Sequence, residues 1–180
     1  MIDNFFKIEI EGNQFQKSYL VYIITIKHGN DVPFYYVGQT GDNFHLTARP
    51  AFRRLSAHLD DQGSSTQNQI YRSIITKILE PKVAIEKGVF KSEVKDQVSR
   101  FLTESKITMF VYPILKFDSE IDETSHKKNR QEVQKIEKDL ISYIIEKFGE
   151  EKILNLKIPK NQKDFNTKES EDIFKHFMQE

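Results

Sequence analysis

Apolar and polar positions follow one another along the chain in a way that predicts short strands and helices. Residues 18–27 are apolar at nearly every position, which is typical of a central strand buried on both faces. Residues 34–38 form a second short apolar run, and residues 28–33 between the two runs have turn chemistry. This pattern predicts an antiparallel hairpin. A third strand is predicted over residues 107–117, and residues 6–11 alternate like an edge strand.

Helical periodicity accounts for most of the remaining chain. Pro50 fits the first turn of a helix that runs to about Leu59, and a second helix is predicted to end at Leu79. Further helices are predicted over residues 92–104, 128–148 and 169–178, with an exposed loop over residues 118–126. We expect one α+β domain over residues 1–180. It would hold a small three-stranded antiparallel sheet flanked by helices, an extra N-terminal strand and a C-terminal helix.

Composition narrows the chemistry that is open to the chain. It has 180 residues, of which 38% are apolar, so it can bury a core without a metal or disulfide scaffold. It has no cysteine, which excludes disulfides, zinc-thiolate sites and cysteine nucleophiles. The longest apolar run, residues 20–26, is far shorter than the roughly 20 residues of a membrane span, and residues 1–12 do not resemble a signal peptide. We expect a soluble cytoplasmic protein.

The charge of the chain is balanced overall but uneven along its length. Lysine plus arginine and aspartate plus glutamate each number 27, so no global positive field steers the protein to nucleic acid. Residues 44–79, however, carry five lysines and arginines against two acids; these cations are Arg49, Arg53, Arg54, Arg72 and Lys77. A local basic surface is therefore compatible with the neutral net charge.

Glu137, in the longest predicted helix, is the acid that most needs a partner. On a helical wheel the apolar residues of this helix fall on one broad arc, and Glu137 lies near its centre. Every other acid from Glu132 onward avoids this arc. Burying a carboxylate costs several kcal/mol unless a cation or strong donors compensate. Two interpretations are open: a buried ion pair with an arginine, or a metal ligand or catalytic acid.

The helix that follows the second strand presents a cation and a histidine one turn apart. Arg54 and His58 lie on the margin of its apolar face and Arg53 points the opposite way, so Arg54 is the better inward-facing cation. His58 is either a partly buried histidine bonded to backbone or a contact for phosphate or a nucleophile. Arg49 and Arg53, like Arg72 in the next helix, are interpreted as solvated or phosphate-contacting surface residues.

Two tyrosines on the predicted hairpin complete the candidate chemistry. Strand alternation puts Tyr22 on one face of the first strand, and Tyr36 and Gly38 share a face of the second. Aromatic residues in strands are ordinary core residues, so neither tyrosine is informative alone. Gly38 ends its strand, where a missing side chain lets backbone or a ligand approach the tyrosine hydroxyls.

These residues, in this order, resemble the GIY-YIG endonuclease family, which is named for two short motifs on adjacent strands. Leu20-Val21-Tyr22 stands at the first motif, with leucine in place of its glycine, and Tyr36-Val37-Gly38 stands at the second. The family's arginine, histidine, glutamate and downstream asparagine match Arg54, His58, Glu137 and Asn155, with Arg49 and Arg53 as alternatives for the arginine. The resemblance covers residues 18–156, with an insertion over about 80–106 and a C-terminal extension over 157–180.

The resemblance implies metal-dependent hydrolysis of a phosphodiester bond. Glu137 would hold one Mg²⁺ or Mn²⁺ ion. Tyr22 would act as general base on the attacking water and Tyr36 would orient that water, or the two tyrosines exchange roles. The base needs a nearby cation to lower its pKa. Arg54 would stabilise the charge of the transition state, and His58 would bind phosphate or assist Tyr22.

The same resemblance implies a partner and a setting. Asn155 would support the metal site by hydrogen bonding, and the candidate contacts to nucleic acid are Gly38, Arg49, Arg53, Arg72 and Asn155. We expect a standalone DNA endonuclease related to restriction, phage defence or mobile elements. The expected partners are duplex or branched DNA and a second copy of the chain in a homodimer, with no membrane. The alternative is a catalytically weak module that keeps the fold and binds nucleic acid or protein, which the balanced charge and Leu20 favour.

Overall fold

The fold is an α+β domain built on a three-stranded antiparallel sheet. The computed structural model describes residues 8–60, 68–79, 92–159 and 167–180. The strands are β1 (Ser18–His28), β2 (Phe34–Gln39) and β3 (Ser105–Lys116). In the described residues the α-helices are α1 (Ala51–Leu59), α2 (Gln69–Ser73), α3 (Ser92–Thr103), α4 (Glu123–Phe148) and α5 (Lys168–Phe177). None of the helices in these ranges is long and apolar enough to cross a membrane.

The central strand β1 organises the sheet, whose order is β2-β1-β3. Both neighbours are antiparallel to it, so the predicted hairpin and the predicted third strand are confirmed. Tyr22 lies opposite Gly38 and Ile24 lies opposite Tyr36 in the register of β1 and β2. This register brings the two candidate tyrosines onto one face of the sheet.

The two faces of the sheet carry two separate cores. On one face Leu20, Tyr22, Ile24 and Ile26 pack with buried residues of α1, α2 and α3. On the other face the alternate residues of β1 pack with α4 and α5; they are Tyr19, Val21 and Ile23. Because apolar side chains cover both faces, β1 has no polar alternation, which explains the continuous apolar run in the sequence.

Two elements differ from the sequence prediction near the N-terminus and after α2. The predicted N-terminal strand is wrong over residues 8–11, which pair with no strand and lead into a 3₁₀ turn, Gly12–Phe15; residues 6 and 7 lie outside the described ranges. The second predicted helix begins as α2 and continues as a π-helical turn, Ile74–Ile78, in which the Leu79 N–H donates to the Ile74 carbonyl at 3.0 Å. Apolar alternation alone therefore did not make a strand, since residues 8–11 are all exposed and have no core to cover.

Helix α4 begins earlier than its apolar periodicity predicts. Residues 118–126 were predicted to be an exposed loop, but the helix starts at Glu123 and His126 is buried. Asp122 is the N-cap, and its side chain accepts from the Ser125 N–H at 2.9 Å and from the Ser125 hydroxyl at 2.6 Å. The acidic residues suggested a solvated loop, whereas one of them satisfies the free backbone donors of the first helical turn.

A second acid, Asp139, lies among the apolar residues of α4. The prediction that every acid of this helix other than Glu137 avoids the apolar arc is therefore wrong. The Asp139 side chain is 1% exposed. Its Oδ2 accepts from the Thr167 N–H at 3.1 Å, the Thr167 hydroxyl at 3.2 Å and the Ser170 hydroxyl at 2.8 Å. The carboxylate thus lies at the N-terminus of α5, where the helix dipole also favours a negative charge. The three donors to Oδ2 offset part of the cost of burying the carboxylate, and they tie α5 to α4.

We expect the Asp139→Ala substitution to lower the free energy of unfolding by about 2 to 4 kcal/mol, because it removes the acceptor of the Thr167 N–H and one of the acceptors of the Thr167 and Ser170 hydroxyls. Urea denaturation measures this loss. Asp172→Ala is the control, since Asp172 is an exposed acid of α5. Equal stability of the two variants would contradict this account of how α5 is held.

Candidate active site

Five of the candidate residues line a cleft beside the edge strand β2; they are Tyr36, Arg54, Arg72, Glu137 and Asn155. The cleft has a volume of about 530 Å³. Its lining comes from β2, from α1 and α2 on one side of the sheet, and from α4 and the segment after it on the other; the residues are Tyr36, Gln39, Arg54, Gln69, Arg72, Glu137, Lys138, Ile141 and residues 155–159. Arg54 and Glu137 therefore reach the cleft from opposite helical layers.

The hydroxyl of Tyr22 is the centre of a buried hydrogen-bond network. Its oxygen accepts from Arg54 Nε at 3.1 Å, and it is bonded to His58 Nε2 at 2.7 Å. Tyr22 and His58 are both 0% exposed. Burial raises the pKa of Tyr22, and the neighbouring Arg54 guanidinium opposes that rise without cancelling it. The pKa of Tyr22 is therefore raised and not lowered as the role of general base requires, and the neutral phenol is the resting form.

Gly38 makes room for this network. It lies opposite Tyr22 in the sheet, and a Cβ atom at position 38 would overlap the hydroxyl oxygen and the end of the Tyr22 ring. The absence of a side chain thus serves close packing of the tyrosine against β2. Gly38 is buried, and it is not among the described residues that line the cleft. Its predicted contact with nucleic acid stays a prediction.

Tyr36 is the tyrosine that lines the cleft. Its hydroxyl donates to Gln69 Oε1 at 2.9 Å, and its ring lies 4.5 Å from the His58 ring between centroids. Burial raises the pKa of Tyr36 well above 10, and the nearby Tyr22 adds to the rise. Gln69 was not a candidate from the sequence, because a glutamine at the start of a short helix carries no pattern that marks it.

Glu137 projects from α4 into the cleft and is partly exposed there. In the described part of the chain its carboxylate makes no hydrogen bond and no ion pair, so the interpretation as a buried Arg–Glu pair is not supported by a direct contact. Desolvation raises the pKa of Glu137 to about 7, while Arg54 and Lys138 lower it. A carboxylate desolvated in this way and facing a cleft is available to a cation.

The side chains that line the cleft suit a metal ion that takes one ligand from the protein. They do not suit a metal site in which every ligand is a protein side chain. Among the described residues no group of three or more His, Cys, Asp or Glu side chains is arranged to hold a metal. Glu137 is the one acid among the described residues that line the cleft. Mg²⁺ commonly binds through one or two carboxylates, keeps several waters and completes its shell with substrate phosphate. Glu137 therefore fits the ion that the resemblance implies.

Cations dominate the lining of the cleft. Arg54, Arg72, Lys138 and Lys157 line it together with Glu137. Arg54 and Arg72 were predicted from the sequence to face a substrate. The two lysines were not, because isolated lysines are common on helix surfaces and connections. The lining thus carries four cations against one acid on a chain whose net charge is zero.

The structure separates the other predicted arginines from this cleft. Arg49 forms an ion pair with Asp42 and lines a smaller hollow next to the cleft, which Arg54 also lines. Arg53 is exposed on α1, and it is not among the described residues that line the cleft. Of the three arginines considered for the position next to the tyrosines, Arg54 is the one that contacts Tyr22.

Asn155 has a structural task at the edge of β2. Its Oδ1 accepts from the Val37 N–H at 3.0 Å, and its Nδ2 donates to the Val37 carbonyl at 2.7 Å. Lys77 Nζ donates to the Asn155 carbonyl at 3.0 Å and to the Ile153 carbonyl at 2.9 Å. The oxygen and the nitrogen of the Asn155 side-chain amide are therefore both bonded to backbone. Asn155 holds one wall of the cleft in place, and its predicted support of the metal site by hydrogen bonding stays a prediction.

Comparison of the chain with protein-family models, curated proteins and solved structures gave no match. Fold and site together define an α+β domain that carries a cationic cleft with a tyrosine–arginine–histidine network and one desolvated glutamate.

We expect Gly38→Ala to lower the free energy of unfolding by about 1 to 3 kcal/mol, because the added methyl group must displace the Tyr22 hydroxyl from Arg54 and His58. Thermal or urea denaturation measures the loss. Gly12→Ala is the matched control, since nothing lies within 4 Å of a Cβ at position 12. The packing argument fails if both variants unfold like the native protein.

The pKa of Glu137 predicts how stability depends on pH. Its value is raised from 4.5 to about 7 in the folded chain, so the folded state holds this proton more tightly than the unfolded state. The free energy of unfolding should therefore fall as the pH rises through this window and level off above it. Glu137→Gln cannot titrate, so in metal-free buffer it should exceed the native protein in stability above pH 7 by on the order of 2 to 3 kcal/mol.

Urea denaturation across this pH range, with a chelator present, measures the difference between the native protein and the Glu137→Gln variant. Glu146→Gln, at an exposed position of the same helix, should keep the native pH dependence. A constant difference between the Glu137→Gln variant and the native protein at every pH would contradict a raised pKa at Glu137.

Proposed function

We propose that this protein is a metal-dependent endonuclease that hydrolyses phosphodiester bonds of DNA, of the GIY-YIG type. One observation carries the proposal: the Tyr22 hydroxyl is bonded to both Arg54 and His58, and Arg54 opens onto the same cationic cleft as Glu137. A proton acceptor, a cation and an unpaired carboxylate are the groups that phosphodiester hydrolysis requires.

Tyr22 and His58 form the proton-accepting unit of this proposal. Burial keeps Tyr22 a neutral phenol, which is a poor base by itself. In the proposed step the attacking water must pass from the cleft to the Tyr22 hydroxyl, which is 0% exposed and does not line the cleft. The hydroxyl then accepts a proton from that water as it passes its own proton to His58 Nε2, 2.7 Å away. The base strength then belongs to the imidazole, whose ordinary pKa lies near neutrality. The Arg54 guanidinium stabilises negative charge on the phenol oxygen during the transfer.

In the proposed mechanism Tyr36 and Arg54 act on water and phosphate in the cleft, which both residues line. The Tyr36 hydroxyl donates to Gln69 and lines the cleft, so its oxygen can accept a hydrogen bond from a water there. This arrangement suits a tyrosine that orients the attacking water, whereas its strongly raised pKa makes it the weaker base of the two. Arg54 lines the cleft and can donate its remaining N–H groups to the phosphate as charge develops on it.

Glu137 is the residue that would hold the ion, one Mg²⁺ or Mn²⁺. When bound, the ion supplies Lewis-acid stabilisation of the phosphate and of the leaving oxygen. Its charge would also draw the pKa of Glu137 down from about 7, so that the ionised ligand and the cation stabilise each other at neutral pH.

The substrate side of the proposal rests on charge. Arg72, Lys138 and Lys157 extend the positive lining beyond Arg54, which favours a polyanion whose phosphates follow the cleft. Duplex or branched DNA is the proposed substrate. A role in restriction, phage defence or mobile-element biology is an inference by analogy with the family that the motifs resemble.

A second candidate function has an observation in its favour. The Tyr22 side chain is fully buried, and its hydroxyl is already bonded by two protein groups, as in a purely structural network. A module that binds nucleic acid or protein without turnover would keep such a network for stability. The desolvated Glu137 opposes this alternative, because a largely desolvated acid without an ion pair costs stability in a protein that does not use it.

Cleavage of supercoiled plasmid and of branched DNA, with Mg²⁺ or Mn²⁺, tests the proposal. We expect the native protein to cut, Glu137→Ala to lose activity and Tyr22→Phe to lose about 10²- to 10⁴-fold in rate, since Tyr22→Phe removes the proton path to His58. Glu146→Ala, exposed on the same helix as Glu137, should cut like the native protein.

Retention of DNA at low salt by a native protein that cuts neither substrate would favour the binding module. Cleavage that survives in Glu137→Ala would mean that the nuclease chemistry lies elsewhere or belongs to a contaminant.

A further inference from the structure

The loop between β2 and α1 exposes an aromatic side chain next to the cleft. Phe44 is 86% exposed, the highest value among the large apolar residues in the described part of the chain, and Leu46 is 49% exposed. A single exposed apolar residue is ordinary on a protein surface and by itself indicates nothing. The conformation of this loop and its position are the observations that distinguish Phe44.

Asp42 holds the loop in one conformation. Its Oδ1 accepts from the Phe44 N–H at 2.8 Å and the His45 N–H at 3.2 Å, and its own N–H donates to the Thr47 carbonyl at 3.0 Å. Its second carboxylate oxygen pairs with Arg49. The Asp42 side chain is thereby buried, at 7% exposure, although it lies in a surface loop. The loop tip is preorganised by these bonds.

The base of the loop is attached to the rest of the fold. The Thr40 hydroxyl donates to the Ser18 carbonyl at 2.6 Å and accepts from the Leu20 N–H at 3.1 Å, which joins the loop to β1. His126 Nε2 is bonded to the Asp42 carbonyl at 3.0 Å, which joins it to α4. The loop is therefore fixed against both layers of the domain, and it presents Phe44 at a defined place.

That place adjoins the candidate active site. Phe44 lines a hollow together with Gln39, Arg49, Arg54 and Gln69, and three of these residues, Gln39, Arg54 and Gln69, also line the cleft. Phe44 therefore lies next to the guanidinium proposed to meet the scissile phosphate, with a second arginine beside it. An aromatic ring next to cations that bind phosphate is the pattern by which proteins stack on a nucleic-acid base.

The geometry points to Phe44 as a stacking residue for an unpaired or unstacked base next to the scissile phosphate, which makes DNA with a branch, gap or bubble the preferred substrate class. The inference rests on the proposed function. A fully paired duplex must give up its own stacking to reach the ring, whereas a base that is already unpaired does not pay this cost. The rigid loop loses little conformational freedom when the base binds.

Equilibrium binding of the native chain to two DNA probes, with a chelator present to prevent cutting, tests the inference. One probe is a duplex with a short central bubble that contains 2-aminopurine, and the other is the fully paired duplex with the same label. We expect the native protein to bind the bubble about tenfold more tightly and to quench the 2-aminopurine fluorescence. Phe44→Ala should lose the preference and the quenching, and Phe44→Tyr, which keeps an aromatic face, should retain both.

Val32→Ala is the matched control, because Val32 is an exposed apolar residue, 53% accessible, in the turn at the opposite end of β2. It should bind both probes like the native protein. Circular dichroism and thermal unfolding of Phe44→Ala should match the native protein, since its exposed ring contributes little packing.

The outcomes separate this inference from the function on which it rests. An unchanged bubble preference in Phe44→Ala overturns the stacking role alone and leaves the nuclease proposal standing. A change in self-association in Phe44→Ala, with DNA binding unchanged, overturns it in favour of a contact between two copies of the chain. Failure of the native protein to bind either probe at low salt overturns the proposed function and the inference together.

Discussion

The buried Tyr22 hydroxyl is the point on which the site depends. It joins β1 to α1 through Arg54 and His58, and it occupies the space that a side chain on β2 would otherwise fill. Unpaired polar groups inside a core are costly, so these three partners constrain one another's positions. The Arg54 guanidinium is thereby fixed at the wall of the cleft. Its position is set by hydrogen bonding to a tyrosine that is buried beneath the cleft surface.

The segregation of charge explains how a neutral chain offers a surface for a polyanion. Three acids elsewhere have structural roles: Asp42 orders a loop, Asp122 caps α4 and Asp139 holds α5. Among the described residues, Glu137 is the one acid that lines the cleft, whereas four cations from different parts of the chain line it. Net charge therefore says little about a binding surface whose field is set by residues within a Debye length.

Sequence patterns identified the elements that are governed by local periodicity and missed contacts that are set by tertiary structure. The two-sided apolar run of β1 and the wheel position of Arg54 were sufficient to predict a strand pair and an inward cation. Gln69 and Asp139 could not be recognised, because their partners Tyr36 and Thr167 lie 33 and 28 residues away. The helix start at Glu123 was missed for a local reason, since its cap was counted among the acids of a loop.

The two hydrogen bonds between the Asn155 side chain and the Val37 backbone also protect the sheet. An edge strand offers unpaired backbone groups to any other extended chain, which makes it a template for aggregation. On β2 the outward amide and carbonyl of Val37 are both bonded by the Asn155 side chain, and the outward carbonyl of Tyr35 accepts from the Leu154 N–H at 2.6 Å. A foreign strand therefore finds these positions occupied. Asn155, which lines the cleft, thus also hinders intermolecular strand pairing at β2.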